Sequence, residues 1–177
     1  EVSQIHSFDP TKQFFKTSVT IKNVDTSAID DVLFMRSFDP DNTVYKGGSY
    51  STTNKIEKTF AAGDGAAMVS ATSSNDDYSA TKGSPSTVFF FSSDSRARVY
   101  TGGFTNTDPY DYRSGNDKNY TRTEDRAIGI VFDIGTLEAG ESKTFDYFTS
   151  LTTIDESSSI VSEISNGSWS FDPSHSA

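Results

Sequence analysis

Hydrophobic residues recur at every second position along most of the chain, a pattern typical of half-buried β-strands. The alternation is cleanest at 127–134, where isoleucine or phenylalanine occupies every even-numbered position from Ile128 to Ile134. The segments 31–39 and Val88–Phe91 are apolar on both faces, which predicts inner strands. Eight strands are predicted in all, at about 13–24, 31–39, 54–61, 66–72, 88–91, 97–101, 127–134 and 143–151.

One stretch near the C-terminal end has helical spacing. Ile154, Ile160, Val161 and Ile164 fall close to the repeat of a helix, so a short helix is predicted over 154–165. Short connections join antiparallel neighbours. We therefore expect an all-β fold, an antiparallel β-sandwich of about eight strands with one short C-terminal helix. With 177 residues, 33% of them hydrophobic, the chain is interpreted as a single domain.

The connections between the predicted strands alternate in length. Those after the first, third, fifth and seventh strands are short, whereas those after the second, fourth and sixth are long and rich in Asp, Asn, Gly and Tyr. Since successive antiparallel strands place their connections at alternate ends of a domain, all three long loops are expected at one end. A β-sandwich can present such loops as one composite binding surface on a rigid scaffold.

The third of these loops is the longest, within a segment that runs from Thr101 to Asp125 and lacks the periodicity of a helix or a strand. It combines oxygen ligands, turn-forming glycines and tyrosines. An ordered loop of this length inside a compact domain is usually functional.

Pairs of carboxylates in the long loops indicate a calcium site. Asp39 and Asp41 are two residues apart, and Asp108 and Asp111 are three residues apart. Calcium takes six to eight oxygen ligands from flexible loops, so carboxylates at such spacing can converge on one ion. The same Asp-Pro sequences also start ordinary turns, and neither an EF-hand nor a glycine-rich calcium repeat is present.

Charge and composition narrow the function classes. The formal net charge of −10 disfavours nucleic acid as a partner and attracts divalent cations. No run is long and apolar enough to cross a membrane as a helix, so membrane insertion is not expected. Cysteine is absent, and His6 and His175 lie near the chain ends, so neither a zinc site nor a Ser-His-Asp triad is expected. We expect a binding protein rather than an enzyme.

Three stretches, SSDSRARVYTGGFTNTDPYDY, VLFMRSFDPDNTVYKGGSY and AIGIVFDIGTLEAGESKTFDYFTSL, resemble the peptide-binding domains near the C-terminal ends of giant bacterial RTX adhesins. The resemblance spans roughly residues 15–151 and rests on overall residue composition and a few short segments rather than on an invariant motif. It implies a calcium-bound β-sandwich whose pocket holds the C-terminal end of a partner protein, with calcium helping to hold the ligand's carboxylate. It also implies that residues 1–177 are one domain of a larger adhesin, located outside the cell on the bacterial surface.

The resemblance also implies roles for individual residues. The expected metal ligands are Asp108, Asp111 and Asp117, assisted by Asn116, with Asp39 and Asp41 as the next set. The residues expected to line the ligand pocket are Gly102, Gly103, Tyr50, Tyr78, Tyr110 and Tyr112.

The leading interpretation is a calcium-dependent adhesion domain, monomeric when isolated, that binds a short peptide or a protein C-terminus on a host or neighbouring cell. Asp, Asn and Tyr can equally grip sugar hydroxyls and pack on pyranose faces, so a calcium-dependent carbohydrate-binding module is the first alternative. The second is a structural spacer domain of an extracellular protein, in which calcium only rigidifies the fold.

Overall fold

A computed structural model describes residues 1–42, 44, 48–73, 85–167 and 169. Its strands are β1 (Val2–Phe8), β2 (Phe14–Lys22), β3 (Ile29–Phe38), β4 (Thr52–Lys58), β5 (Ala67–Ser73), β6 (Ser86–Ser92), β7 (Ala97–Gly102), β8 (Thr121–Glu124), β9 (Ala127–Leu137) and β10 (Ser142–Thr153). One α-helix, α1 (Ser157–Ser165), follows β10. In the described part of the chain, no helix is long and apolar enough to span a membrane.

The strands form two antiparallel sheets of unequal size. The larger sheet has seven strands in the order β1-β2-β10-β6-β5-β4-β8, and the smaller has three in the order β3-β9-β7. The prediction of an antiparallel β-sandwich with a short C-terminal helix is confirmed, and each of the eight predicted strands is present.

Two strands, β1 and β8, were not predicted from the sequence. In β1 the apolar residues Val2, Ile5 and Phe8 are three positions apart, and all three are exposed. Strand β8 has the sequence TRTE and no apolar residue. Because neither strand buries an alternating apolar face, hydrophobic periodicity does not reveal them.

The main core lies between the two sheets. Phe132 of β9 stacks on Phe145 of β10 with ring centroids 4.2 Å apart, and Phe34 of β3 packs against both rings. Val19, Val69 and other inward-facing aliphatic residues complete this layer. Alternate residues of the strands that form this layer therefore face it, as the period of two predicts.

A second apolar layer lies between α1 and the outer face of the seven-stranded sheet. Ile160 and Ile164 of the helix pack against Phe89, Phe91 and Phe148. Strand β6 is consequently buried on both faces, and its neighbours are β10 and β5, which confirms the predicted inner strand at Val88–Phe91. The helix begins at Ser157 rather than at the predicted residue 154.

The corresponding prediction for residues 31–39 is wrong, because β3 is an edge strand. It pairs only with β9 among the described strands. Its outward face is partly covered by a 3₁₀ turn at Pro109–Tyr112, where the Tyr110 hydroxyl donates to the Asp31 carbonyl at 2.8 Å. Coverage by a loop, rather than by a neighbouring strand, therefore accounts for the apolar residues on both faces of β3.

One end of the sandwich, here named the loop end, gathers several chain connections. Four strands end there, namely β3, β5, β7 and β8, and three begin there, namely β4, β6 and β9. The registers Thr52↔Ser73, Thr52↔Glu124 and Phe38↔Ile128 require this arrangement. The strands that flank the first two predicted long loops, 39–52 and 73–86, therefore meet at this end, as the alternation of loop lengths predicts.

The third long loop does not stay at the loop end. It leaves β7 at Gly102, which pairs with Ala127, and reaches the opposite end, where Lys118 Nζ lies 2.5 Å from Asp64 Oδ1 in the turn between β4 and β5. We name residues 103–120 the crossing segment. The prediction that all of this loop lies at one end is wrong, because the unpredicted β8 carries the chain back.

The crossing segment closes one side of the sandwich by bonding to the edges of both sheets. The Asn116 amide donates to the Val99 carbonyl of β7 at 2.9 Å. The Ile56 amide of β4 donates to the Tyr120 carbonyl at 2.9 Å, and the Tyr120 ring packs against the main core. The segment thereby satisfies backbone groups that edge strands would otherwise expose.

Gly129→Ala tests the packing of β9 against the stacked rings of Tyr100 and Tyr112. A Cβ at this position would collide with the Tyr100 ring, which is itself fixed by stacking on Tyr112 with centroids 3.7 Å apart. We expect a loss of about 1–3 kcal/mol in the free energy of unfolding, measured by urea denaturation. Gly103→Ala is the control, since a Cβ there meets nothing within 4 Å and should change stability by less than about 0.5 kcal/mol. Equal effects of the two substitutions would contradict this packing.

Candidate functional site

Three aspartates from two different connections meet at the loop end. Asp39 and Asp41 follow β3, and Asp125 lies in the two-residue link between β8 and β9. One carboxylate oxygen from each lies within 4.8 Å of the others. We name this group the acidic triad. It is the only group of three or more acidic or histidine side chains in the described residues that could hold a metal ion at such distances.

Hydrogen bonds from two asparagine side chains hold the triad in place. Pro40 is buried, and the Asn42 side chain donates from Nδ2 to the Ala71 carbonyl at 3.0 Å, which ties this loop to the end of β5. On the other side, the Asn54 side chain donates to the Glu124 carbonyl at 3.4 Å, next to Asp125. The sheet framework, rather than a long flexible loop, therefore sets the spacing of the carboxylates.

The negative charge of the acidic triad is not balanced by a cationic side chain among the described residues. Burial raises the pKa of the Asp39 carboxyl above its usual range, and the charges of Asp41 and Asp125 raise it further. Burial also raises the pKa of Asp41, with Asp125 as the second cause. The neighbouring Arg126 pairs instead with Glu124, with Nε and Oε2 2.6 Å apart.

One carboxylate oxygen of the triad lacks a hydrogen-bond partner in the part of the chain that the structure describes. Oδ1 of Asp41 is buried and accepts no hydrogen bond from the described residues, although the residue as a whole is partly exposed. A buried, charged oxygen without a partner is costly. A cation held by the three carboxylates would satisfy this oxygen and offset the repulsion, so the residues present fit a divalent ion with oxygen ligands.

The predicted ligands in the crossing segment have other partners. Asp108 accepts a hydrogen bond from the Tyr110 amide at 2.9 Å and begins the 3₁₀ turn. Asp111 accepts from the Asn106 side chain at 2.8 Å, and Asn116 accepts from the Thr101 amide at 2.9 Å. Asp117 is exposed and lies one residue from Lys118, at the end of the domain opposite the triad. The structure does not bring Asp108, Asp111 and Asp117 together as a ligand cluster.

Asp125 was missed by sequence reasoning, whereas Asp39 and Asp41 were in the second candidate set. Its position depends on β8, which returns the crossing segment to the loop end. The only signal in the sequence is an aspartate just before the regular alternation that starts at Ala127.

The predicted pocket residues are divided between packing positions and open surface. Tyr112 stacks on the buried Tyr100, and a Cβ at Gly102 would collide with the Tyr112 hydroxyl, so Gly102 permits this packing. Gly103 has open space around it, and Tyr110 is half exposed over β3. Tyr78 lies outside the described residues.

Exposed aromatic rings occur at the loop end. Tyr50, just before β4, is 59% exposed, and Phe104, two residues after β7, is 51% exposed. Phe38 directly precedes Asp39 and is 38% exposed. Together with the triad, these rings give the loop end both oxygen ligands and apolar faces.

A cleft of about 700 Å³ lies near the end of the domain opposite the acidic triad, beside the last turn of α1. It also contains three aspartates, but each has a cationic partner: Asp64 pairs with Lys118, Asp94 with Arg96, and Asp146 with Lys16. The cleft therefore lacks the unbalanced negative charge that distinguishes the acidic triad.

A scan against models of known protein families found no match, and a search of curated proteins found none either.

The raised pKa values of Asp39 and Asp41 predict how pH affects the metal-free protein. A carboxyl whose pKa is higher in the folded state stabilises the fold most below its unfolded value of about 3.9, and this contribution is lost as pH rises through the folded pKa. Asp41→Asn should therefore stabilise the metal-free protein at pH 7 by about 0.5–1 kcal/mol after solvent screening.

The difference between this variant and the natural protein should shrink as pH falls towards about 4, measured by urea denaturation in chelator. Asp117→Asn serves as the control, since Asp117 is outside the triad and should show no such pH-dependent difference. A gap that is constant between pH 4 and pH 7 would contradict charge repulsion within the triad.

Proposed function

We propose that this domain is a calcium-dependent adhesion module that binds the C-terminal carboxylate of a peptide or protein partner at the loop end. The observation that carries the proposal is the acidic triad, in which a buried oxygen of Asp41 has no hydrogen-bond partner among the described residues. In this proposal, the site serves binding rather than catalysis, and the domain works outside the cell, on a bacterial surface.

Calcium is the metal best suited to this ligand set. All three side chains of the triad supply hard carboxylate oxygens, and no histidine belongs to it. His6 lies on β1, where its Nδ1 is 3.0 Å from the Thr17 hydroxyl. Ca²⁺ accepts irregular oxygen coordination at the ends of loops, whereas Mg²⁺ requires near-octahedral geometry and keeps several waters.

Three carboxylates that each bind through one oxygen leave part of a calcium coordination shell open. The side chains of the triad supply between three and six oxygens, depending on whether each binds with one or both, and calcium takes about six to eight. A peptide's terminal carboxylate can fill the open positions. The ion also explains how a domain with a net charge of −10 could hold an anionic group.

The exposed aromatic residues at the loop end support a peptide rather than a bare ion as the final occupant. Tyr50, Phe104 and Phe38 provide apolar surface for the residues before the terminal carboxylate. The same rings could pack on a sugar, so the glycan alternative is part of the test. A spacer domain would bind calcium and neither ligand.

Calcium should raise the melting temperature through the triad. At a calcium concentration about 100 times the dissociation constant, binding adds about 2.7 kcal/mol, which corresponds to a shift of about 5–10 °C for a domain of this size. Asp41→Asn should lose most of this shift, measured by differential scanning calorimetry with calcium and then with chelator.

Asp117→Asn is the matched control, because the sequence-based ligand set includes Asp117 and the triad does not. It should retain the full calcium response. A calcium response that is lost in Asp117→Asn and kept in Asp41→Asn would transfer the site to the crossing segment. No shift in any of the proteins would remove calcium from the proposal.

Binding to a peptide should depend on a free C-terminus. We expect a library of free-carboxylate peptides, screened beside a glycan array at saturating calcium, to yield peptide ligands. Amidation of the best peptide should weaken binding by about 10-fold or more, since a charge-assisted contact is lost. Unchanged affinity after amidation would refute the carboxylate mechanism, and binding to glycans alone would favour the carbohydrate-binding alternative.

A further inference from the structure

The unequal sheets leave one side of the sandwich open. Strand β3, at the edge of the small sheet, packs over the part of the large sheet formed by β10, where Phe34 meets Phe145 at 5.3 Å. The large sheet continues past this point through β2 to β1. Among the described strands, β1 pairs only with β2, and β3 pairs only with β9. Two unpaired strand edges therefore lie on the same side of the molecule.

The inward face of β1 has no strand of the small sheet above it. Register places Val2 opposite Ile21, His6 opposite Thr17 and Phe8 opposite Phe15. Ile21 and Thr17 are buried, whereas Val2 is 57% exposed and Phe8 is 46% exposed. The inward face of β1, formed by Val2, Gln4, His6 and Phe8, thus presents two exposed apolar side chains at the position that a fourth strand of the small sheet would cover.

One unpaired cation faces this open side. Arg36 of β3 lies opposite the buried Ile130, so its side chain is on the inward face, yet it is exposed. Arg36 makes no ion pair in the described part of the chain. Burial raises the pKa of the Tyr147 hydroxyl on β10, and the positive charge of Arg36 partly opposes that rise. Arg36 therefore lies close to the inward surface that β10 and β2 form.

We propose that an extended peptide segment carrying one carboxylate side chain docks on this side as a fourth strand of the small sheet. Its backbone pairs with the free edge of β3, its apolar side chains cover the inward face of β1, and its carboxylate binds Arg36. We name this surface the edge groove. It uses neither calcium nor the acidic triad, so it goes beyond the function proposed above.

Charge complementarity selects this occupant. Arg36 of β3 and His6 of β1 are basic side chains that face the edge groove, while the whole domain has a net charge of −10. A single carboxylate can pair with Arg36, whereas a run of acidic residues would be repelled by the domain. The guanidinium group favours a carboxylate held in two parallel hydrogen bonds.

The test uses a capped peptide, acetyl-KTVTETVTK-amide, in the presence of chelator. In an extended conformation, its two valines and its glutamate share one face. The caps remove the terminal carboxylate, so failure of the calcium mechanism cannot affect this result. The comparison peptide has glutamine in place of glutamate. It is more positive, so attraction to the acidic domain alone would make it bind more tightly.

We expect the glutamate peptide to bind about 10-fold more tightly than the glutamine peptide, measured by isothermal titration calorimetry. Arg36→Gln should abolish that difference, and Arg122→Gln, which alters an exposed arginine on the distant β8, should preserve it. Amide chemical shifts in residues 33–37 should change on binding. Circular dichroism spectra that match the natural protein would show that both variants fold.

Three results would overturn the proposal. The first is equal binding, or no binding, of the two peptides to the natural protein. The second is binding whose shift changes fall outside β3. The third is a concentration-dependent dimer that buries the β3 edge and excludes the peptide, which would make a second copy of the chain the occupant.

Discussion

The mismatch between a seven-stranded and a three-stranded sheet is the constraint on which the rest of this structure depends. Three strands cannot cover the inward face of seven, so the remaining apolar surface needs other cover. On one side, the crossing segment provides it, with Tyr120 packed on the main core and backbone hydrogen bonds to β7 and β4. On the other side, β1 extends past β3 and its inward face stays exposed.

The crossing segment is the loop richest in aspartate and tyrosine, and several of its polar side chains stabilise its own conformation. Its polar side chains are used to fold it: Asp108 begins a turn, Asn116 caps the Thr101 amide, and Arg113 bridges Asp31 and Asp133. A segment that spans the domain without regular hydrogen bonding must satisfy its backbone locally. Composition suited to metal binding and composition suited to a long ordered connection are therefore similar.

Hydrophobic periodicity was sufficient to predict the eight strands that bury an alternating face, and the sandwich followed from them. It could not reveal β8, whose four residues are all exposed. That single omission had consequences for the site, because β8 decides where the chain returns. When β8 is not recognised, the end of the domain at which Asp125 lies cannot be deduced, and the whole crossing segment is assigned to the loop end. Asp39 and Asp41 could be named as candidate ligands because their spacing of two residues in a long loop is visible in the sequence.

The acidic triad and the edge groove differ in what each can select. In the binding proposed at the triad, recognition comes from an ion and a charged group, so the ligand's backbone end would matter more than its sequence. In the docking proposed at the edge groove, backbone pairing supplies contact with any extended chain, and Arg36 with the exposed Val2 and Phe8 of β1 restricts which side chains fit. Because Phe38 ends β3 and is followed at once by Asp39, the two surfaces are joined by one rigid strand. A partner long enough to engage both would bind far more tightly than either site allows alone, since the second contact becomes intramolecular.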